Sequence, residues 1–272
     1  SFRNNLVLKE LFSTETMNNL FKLLAKIIIF TLLIEGIGAL IIYSSLDMGN
    51  HDEWLFSVFH AVSAFCNAGF STLSGNLHSA DIRYNTTLQL SVAILIILGG
   101  IGFPVLLSLY ASFKYLIVTI VRKLRGKLRP VKPEKKNVAV SIVLFMTFIL
   151  ILVGTLLYYL FESEKSLNGM NNIRKIIISF FGSVSARTAG FNVIEITLWS
   201  YPTIFLMIFL MWIGASPGST GGGIKTTTFA LAIRTTWNFI RGKEQLKIGN
   251  REISNSTITR VLSIIFLTIV TI

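Results

Sequence analysis

A chain of 272 residues that is 52% hydrophobic and only 14% charged, with a mean hydropathy of +0.67, has too little polar surface to cover a soluble globule of its size. It reads as an integral, multi-pass membrane protein. Its net charge of +12 is carried in segments between apolar runs, the pattern of cytoplasmic loops, which argues against a nucleic-acid partner.

In chain order, residues 27–46 are apolar except for Glu35 and follow Lys22 and Lys26, which predicts one spanning helix of about 20 residues. Residues 54–65 are too few to cross. The run 88–121 is interrupted by Gly99, Gly100, Gly102 and Pro104, and the basic block from Arg122 through Arg129 to Lys132, Lys135 and Lys136 marks the cytoplasm. Residues 138–161 form a second clean span, 173–181 another short apolar piece, and a third long run starts at Leu198. Arg241, Lys243, Lys247 and Arg251 mark a second cytoplasmic segment, and 257–272 begins a further span. On the opposite side, residues 47–86 carry Asp47, Asp52, Glu53 and Asp81 against Arg83 alone. A start at Ser1 without methionine or a signal pattern, and an end at Ile272 inside an apolar run, lead us to expect a piece of a longer protein. One cysteine, Cys66, excludes an intramolecular disulfide and a multi-cysteine metal site, and is most simply a small packing residue. His51, His60 and His78 lack the H-E-x-x-H spacing of a zinc site.

The order is therefore long helix, short re-entrant helix, long helix, then the same again. The short pieces carry an internal match: "AFCNAGFS" at 64–71 aligns with "SARTAGFN" at 185–192, setting Asn67, Ala68, Gly69 and Phe70 against Thr188, Ala189, Gly190 and Phe191. Non-helical backbone at membrane depth is tolerated only where it is buried in protein or lines a watery path. Short helices entering from outside place their partly negative C-terminal ends near mid-membrane, where a cation is stabilised. Gly69 and Gly190 can then turn consecutive carbonyls toward one axis, unless each merely permits a tight turn.

The stretch "GASPGSTGGGIKTTTFA" at 214–230 superficially suggests a nucleotide-binding loop. Ile224 separates Gly223 from Lys225, however, and a long apolar segment stands where a phosphate-binding enzyme has a short strand. Pro217 removes a helix hydrogen bond, and Gly218, Gly221, Gly222 and Gly223 ease backbone rearrangement. Ser216, Ser219 and Thr220 need water or protein partners, which a pore supplies. A static kink is the alternative.

"NAGF" and "RTAGF" after pore helices, "GGIGFPV" in the helix after the first, and "GASPGSTGGGIKTT" interrupting the helix after the second resemble the membrane subunits of the Trk/Ktr/HKT potassium transporter superfamily. The resemblance implies an all-α integral membrane fold of tandem helix, re-entrant pore loop, helix units as in potassium channels, two of an expected four being covered. Residues 1–19 would be the cytoplasmic tail of a preceding unit, 20–121 the second unit, 122–137 a basic cytoplasmic linker, 138–240 the third unit, 241–256 a further cytoplasmic linker and 257–272 the start of the fourth. Potassium would be the transported ion, held at a selectivity filter of Cys66, Asn67, Ala68, Gly69, Phe70, Thr188, Ala189, Gly190 and Phe191. Gly214, Ala215, Ser216, Pro217, Gly218, Ser219, Thr220, Gly221, Gly222, Gly223 and Lys225 would form an intramembrane gating loop. The implied partners are a TrkA/KtrA-like cytoplasmic nucleotide-binding regulatory ring and a second full-length membrane subunit in a homodimer, within the lipid bilayer of the bacterial plasma membrane.

Three charges remain inside apolar regions, where ionisable residues are functional candidates. Arg187 and Glu35 are candidate filter supports. Arg187 would brace the loop against a carboxylate or carbonyls. Glu35 would pair with Arg187 or a further unit, or sit in a helix interface. Lys225 either projects into the gate as a blocking or anchoring charge or snorkels to the cytoplasm. The sequence is thus read as a potassium uptake pore without covalent chemistry. The rival is a secondary transporter with broken helices and alternating access, whose repeats are often inverted, whereas both short helices here enter from one side. A membrane enzyme is disfavoured by the lack of paired carboxylates, a metal cluster or a nucleophile with a base.

Overall fold

The computed structural model describes residues 17–46, 52–80, 82–124, 138–242, 247–248, 251–252 and 255–270. The tail 1–16, His51, Asp47, Asp81, Lys243 and the linker residues 125–137 invoked above lie outside the described residues. The helices are α1 (Met17–Ser45), α2 (Glu53–Phe65), α3 (Thr86–Ile101), α4 (Phe103–Leu124), α5 (Val138–Glu162), α6 (Asn172–Ala186), α7 (Tyr201–Trp212), α8 (Thr226–Ile240) and α9 (Asn255–Val270). A two-residue antiparallel pair, β1 (Lys247–Ile248) with β2 (Arg251–Glu252), lies between α8 and α9; it falls in the stretch read from sequence as a plain cytoplasmic linker.

Among the described residues, three helices, α1, α4 and α5, are long and apolar enough to cross a membrane. Their side chains Leu32, Leu33, Phe113, Phe145 and Phe148 face outward, the inverse of a soluble bundle. The core lies between the short helices and their neighbours: Ile42, Phe56, Leu88 and Ile96 from α1–α3 meet Tyr158, Phe181, Leu206 and Met207 from α5–α7. The long run that begins at Thr86 breaks into α3 and α4 at Gly102, whose φ of 88° is one that side-chain-bearing residues rarely adopt. Pro104 follows in the first turn of α4, where its missing N–H costs nothing.

Two helices are longer than the apolar pattern suggested. The first has 29 residues, because it continues N-terminally past Lys22 and Lys26, whose long stems suit a membrane edge. The second short helix runs on from Phe181 to Ala186. Its polar residues there are satisfied: Ser183 donates to the Ile151 carbonyl at 3.0 Å and Ser185 to that of Phe191. Serines break an apolar run without breaking a helix when their hydroxyls find carbonyl partners.

At the start of α6, Arg174 and Lys175, which the sequence reading did not consider, serve as struts. Arg174 donates to the Tyr84 carbonyl at 2.7 Å and stacks over its ring, with Arg83 also stacked on that ring. Lys175 donates to the Ser163 carbonyl at 2.6 Å. Glu162, fully buried, accepts hydrogen bonds from the Ser200 N–H and hydroxyl and from Thr203. Its charge lies at the N-terminus of α7, the end that favours an anion.

Candidate ion-conduction site

Each short helix ends in the same backbone figure. Asn67 and Thr188, aligned by the internal match, both adopt positive φ, at 51° and 76°, and Gly69 and Gly190 two residues later do so at 72° and 85°. Left-handed residues at every second position of Asn-Ala-Gly and Thr-Ala-Gly break the strand-like alternation of the backbone. A serine in the last turn ties each segment off: Ser63 donates to the Phe70 carbonyl at 2.8 Å, and Ser185 to that of Phe191. The segments lie side by side, because a Cβ on Gly69 would overlap the Ala189 carbonyl.

Their surroundings differ. Phe191 and Ala189 are buried, whereas Cys66, Ala68 and Phe70 are exposed. The packing role expected of Cys66 is therefore corrected. As the C-cap of α2 it has left the core, and its Sγ lies 3.9 Å from Oε1 of Glu35. Behind the first segment, His60 is buried, its Nδ1 2.7 Å from the Phe56 carbonyl and its Nε2 2.8 Å from Ser71 Oγ.

The irregular stretch between α7 and α8 closes on itself. Ala215 N–H donates to the Gly222 carbonyl at 3.0 Å, Thr226 N–H to Ala215, and Ser216 and Thr226 hydroxyls meet at 2.9 Å. Gly223, at φ 71°, packs against Gly214, and a Cβ on Gly214 would overlap the Gly222 carbonyl. The loop then docks on the α3–α4 break: Ser216 N–H donates to Gly100, Thr220 N–H to Gly99, and Phe103 N–H to Gly218. Ser216, Ser219 and Thr220, expected to need water or protein partners, all find protein ones; Ser219 donates to the Ser216 carbonyl at 2.6 Å. Pro217, half-buried, and Gly218, exposed, form the loop's shoulder against Gly102 and Pro104.

The three intramembrane charges are distributed as follows. Arg187, buried, donates from Nη2 to the Gly214 carbonyl at 3.3 Å, so it joins the second segment to the loop through a carbonyl. Its pairing with Glu35 is not formed; Glu35 meets the Cys66 thiol instead. Lys225 Nζ folds back to the Gly221 carbonyl of its own loop at 2.8 Å. Sequence reasoning missed the serine anchors, His60 and Glu162. A signal for the serines existed, since Ser63 and Ser185 both stand shortly before an Ala-Gly-Phe.

Half-length helices tipped by left-handed turns, inside a bundle with outward-facing apolar spans, define a multi-pass helical membrane protein. The chain belongs to the TrkH cation transport protein family, whose family model matches residues 1–272. It is similar to the Ktr system potassium uptake protein B of Vibrio alginolyticus, 34% identical over 97% of this chain and 55% of that protein. It is also similar to the potassium/sodium uptake protein NtpJ of Enterococcus hirae, 33% identical over 99% of this chain and 56% of that one. The chain thus spans about half the length of the curated relatives it matches. In fold it resembles the crystal structure of the potassium transporter TrkH from Vibrio parahaemolyticus, with a TM-score of 0.66 at 17% identity, covering 96% of this chain and 52% of that one. The superfamily resemblance read from the motifs and the all-helical membrane class both hold.

Proposed function

We propose that this chain forms two helix, pore-loop, helix units, 20–121 and 138–240, of a potassium uptake pore that two further units complete. Cys66 to Phe70 and Thr188 to Phe191 supply carbonyls to the selectivity filter, and K⁺ sheds water against them as it passes inward. The observation that carries this reading is the pair of matching left-handed turns, at Asn67/Gly69 and Thr188/Gly190, each at the negative end of a half-length helix. The loop 214–225 acts as the gate, held shut by Lys225, Arg187 and its contacts with the α3–α4 break. A cytoplasmic nucleotide-binding ring and a second membrane subunit are the proposed partners, the ring releasing the loop from the basic side.

The relatives named for potassium and for potassium/sodium uptake support monovalent cations as the substrate class. The test is passive flux into liposomes holding the complete protein. K⁺ movement down its gradient, saturable and independent of any organic solute, is expected; solute-coupled exchange without net K⁺ flux would defeat the reading in favour of alternating access.

A further inference from the structure

One side chain of the loop reaches the first segment directly. Thr220 Oγ1 accepts a hydrogen bond from Asn67 Nδ2 at 2.8 Å and donates one to the Phe65 carbonyl at 2.9 Å. A hydroxyl carries one proton and two lone pairs, so both bonds stand together. The Phe65 carbonyl belongs to the last turn of α2, where helix geometry leaves acceptors without intrahelical donors. It also occupies the space that a Cβ on Gly99 would fill, and Thr220 N–H bonds to Gly99 at 3.3 Å. The next loop residue faces the other segment: a Cβ on the buried Gly221 would overlap Thr188 Oγ1. Neighbouring residues of one loop therefore abut Asn67 and Thr188, the two matched left-handed positions.

We propose that Thr220 determines ion preference as a positioning residue, by holding Asn67 and the Phe65 carbonyl in the geometry that aims the first segment's carbonyls. Thr220 is then the contact through which the loop bears on K⁺ over Na⁺ discrimination. A loop moved aside takes with it the side-chain anchor of Asn67, whose φ of 51° opens the first segment's left-handed turn. The inference rests on reading 66–70 as filter and 214–225 as gate.

The experiment compares K⁺ and Na⁺ flux through the complete protein in liposomes, with folded protein quantified by size exclusion. Thr220→Val and Thr220→Ala remove the hydroxyl at two side-chain sizes, so one is read if the other fails to fold. Both are expected to lower the K⁺/Na⁺ ratio about three- to tenfold, the factor set by losing a buried hydrogen bond, while Thr220→Ser keeps it. Ser216→Ala serves as the loop control, because its hydroxyl meets Thr226 rather than the filter; it is expected to change both fluxes together. An unchanged ratio in folded Thr220→Val or Thr220→Ala, with both fluxes scaled alike, overturns the proposal. Gly69→Ala separates the two levels: if it abolishes discrimination while the Thr220 variants keep it, the coupling fails and the pore reading stands. If Gly69→Ala also leaves the ratio untouched, the filter reading falls and the coupling with it.

Discussion

Gly69 and Gly190 are equivalent by sequence yet unequal in space, and alanine at each should reveal it. Both have positive φ, so alanine at either position meets the left-handed penalty of about 1–2 kcal/mol. At Gly190 the nearest atom to a new Cβ is the Gly69 Cα at 3.8 Å, an ordinary contact. At Gly69 the new Cβ would overlap the Ala189 carbonyl of the neighbouring segment. Overpacking against backbone adds about 1–3 kcal/mol, for a total of about 2–5 kcal/mol at Gly69. The neighbouring backbone has to move to relieve that strain, and each ~1.4 kcal/mol expressed at an ion site is a tenfold change in preference. Gly69→Ala is therefore expected to cut the K⁺/Na⁺ flux ratio by about tenfold or more, and Gly190→Ala by distinctly less. Paired tracer uptake of the two ions into liposomes, normalised to folded protein, reads both variants. Equal losses, or a greater loss at Gly190, would refute the argument from spacing; unchanged ratios at both would remove the glycines from the filter.

Other outcomes follow from the same contacts. Lys225→Ala removes the charged donor on the Gly221 carbonyl, a bond worth about 1.5–3 kcal/mol, and should raise K⁺ flux severalfold without the regulatory ring; unchanged flux would mean the lysine does not hold the gate. Deleting residues 221–223 removes the Gly222 acceptor of the Ala215 N–H and should also raise flux, whereas a static kink predicts lower flux together with lower stability. Glu162→Gln weakens the buried cluster with Ser200 and Thr203 by about 1.5–3 kcal/mol and should lower the melting temperature in detergent while leaving the ion ratio intact; an altered ratio would place Glu162 in the conduction path. In a functional Cys66-free background, cysteine at the exposed Ser74 should react with an impermeant thiol reagent from outside, and cysteine at the exposed Arg122 from inside; reversed labelling would invert the topology.

The membrane class and the half-length helices were legible because lipid imposes a length rule on apolar runs, one that residues 54–65 and 173–181 visibly fail. The family was legible from the long loop motif. What the pattern could not supply was direction. Lys225 offered the same residue type whether it pointed to the gate or the cytoplasm, and its bond to Gly221 depends on the loop's fold. Glu35 and Arg187 were the obvious opposite charges, yet one meets a thiol and the other a carbonyl, since intramembrane charges take whichever polar partner the backbone brings near. Cys66 looked like packing because burial is the common fate of a free cysteine; its place one residue past α2 turned it outward. The Asn67–Thr220 bond joins residues 153 positions apart, a separation that no local spacing rule addresses.

The central claim is that the backbone of 66–70 and 188–191 holds the transported ion. Diffraction from crystals of the complete protein grown with Tl⁺, a heavy analogue of K⁺, tests it most directly. The account predicts anomalous density on the axis between the Asn67–Gly69 and Thr188–Gly190 segments, lost when K⁺ outcompetes Tl⁺ and weakened in Gly69→Ala. Density confined to a site elsewhere between the helices, with none at these segments, would contradict it.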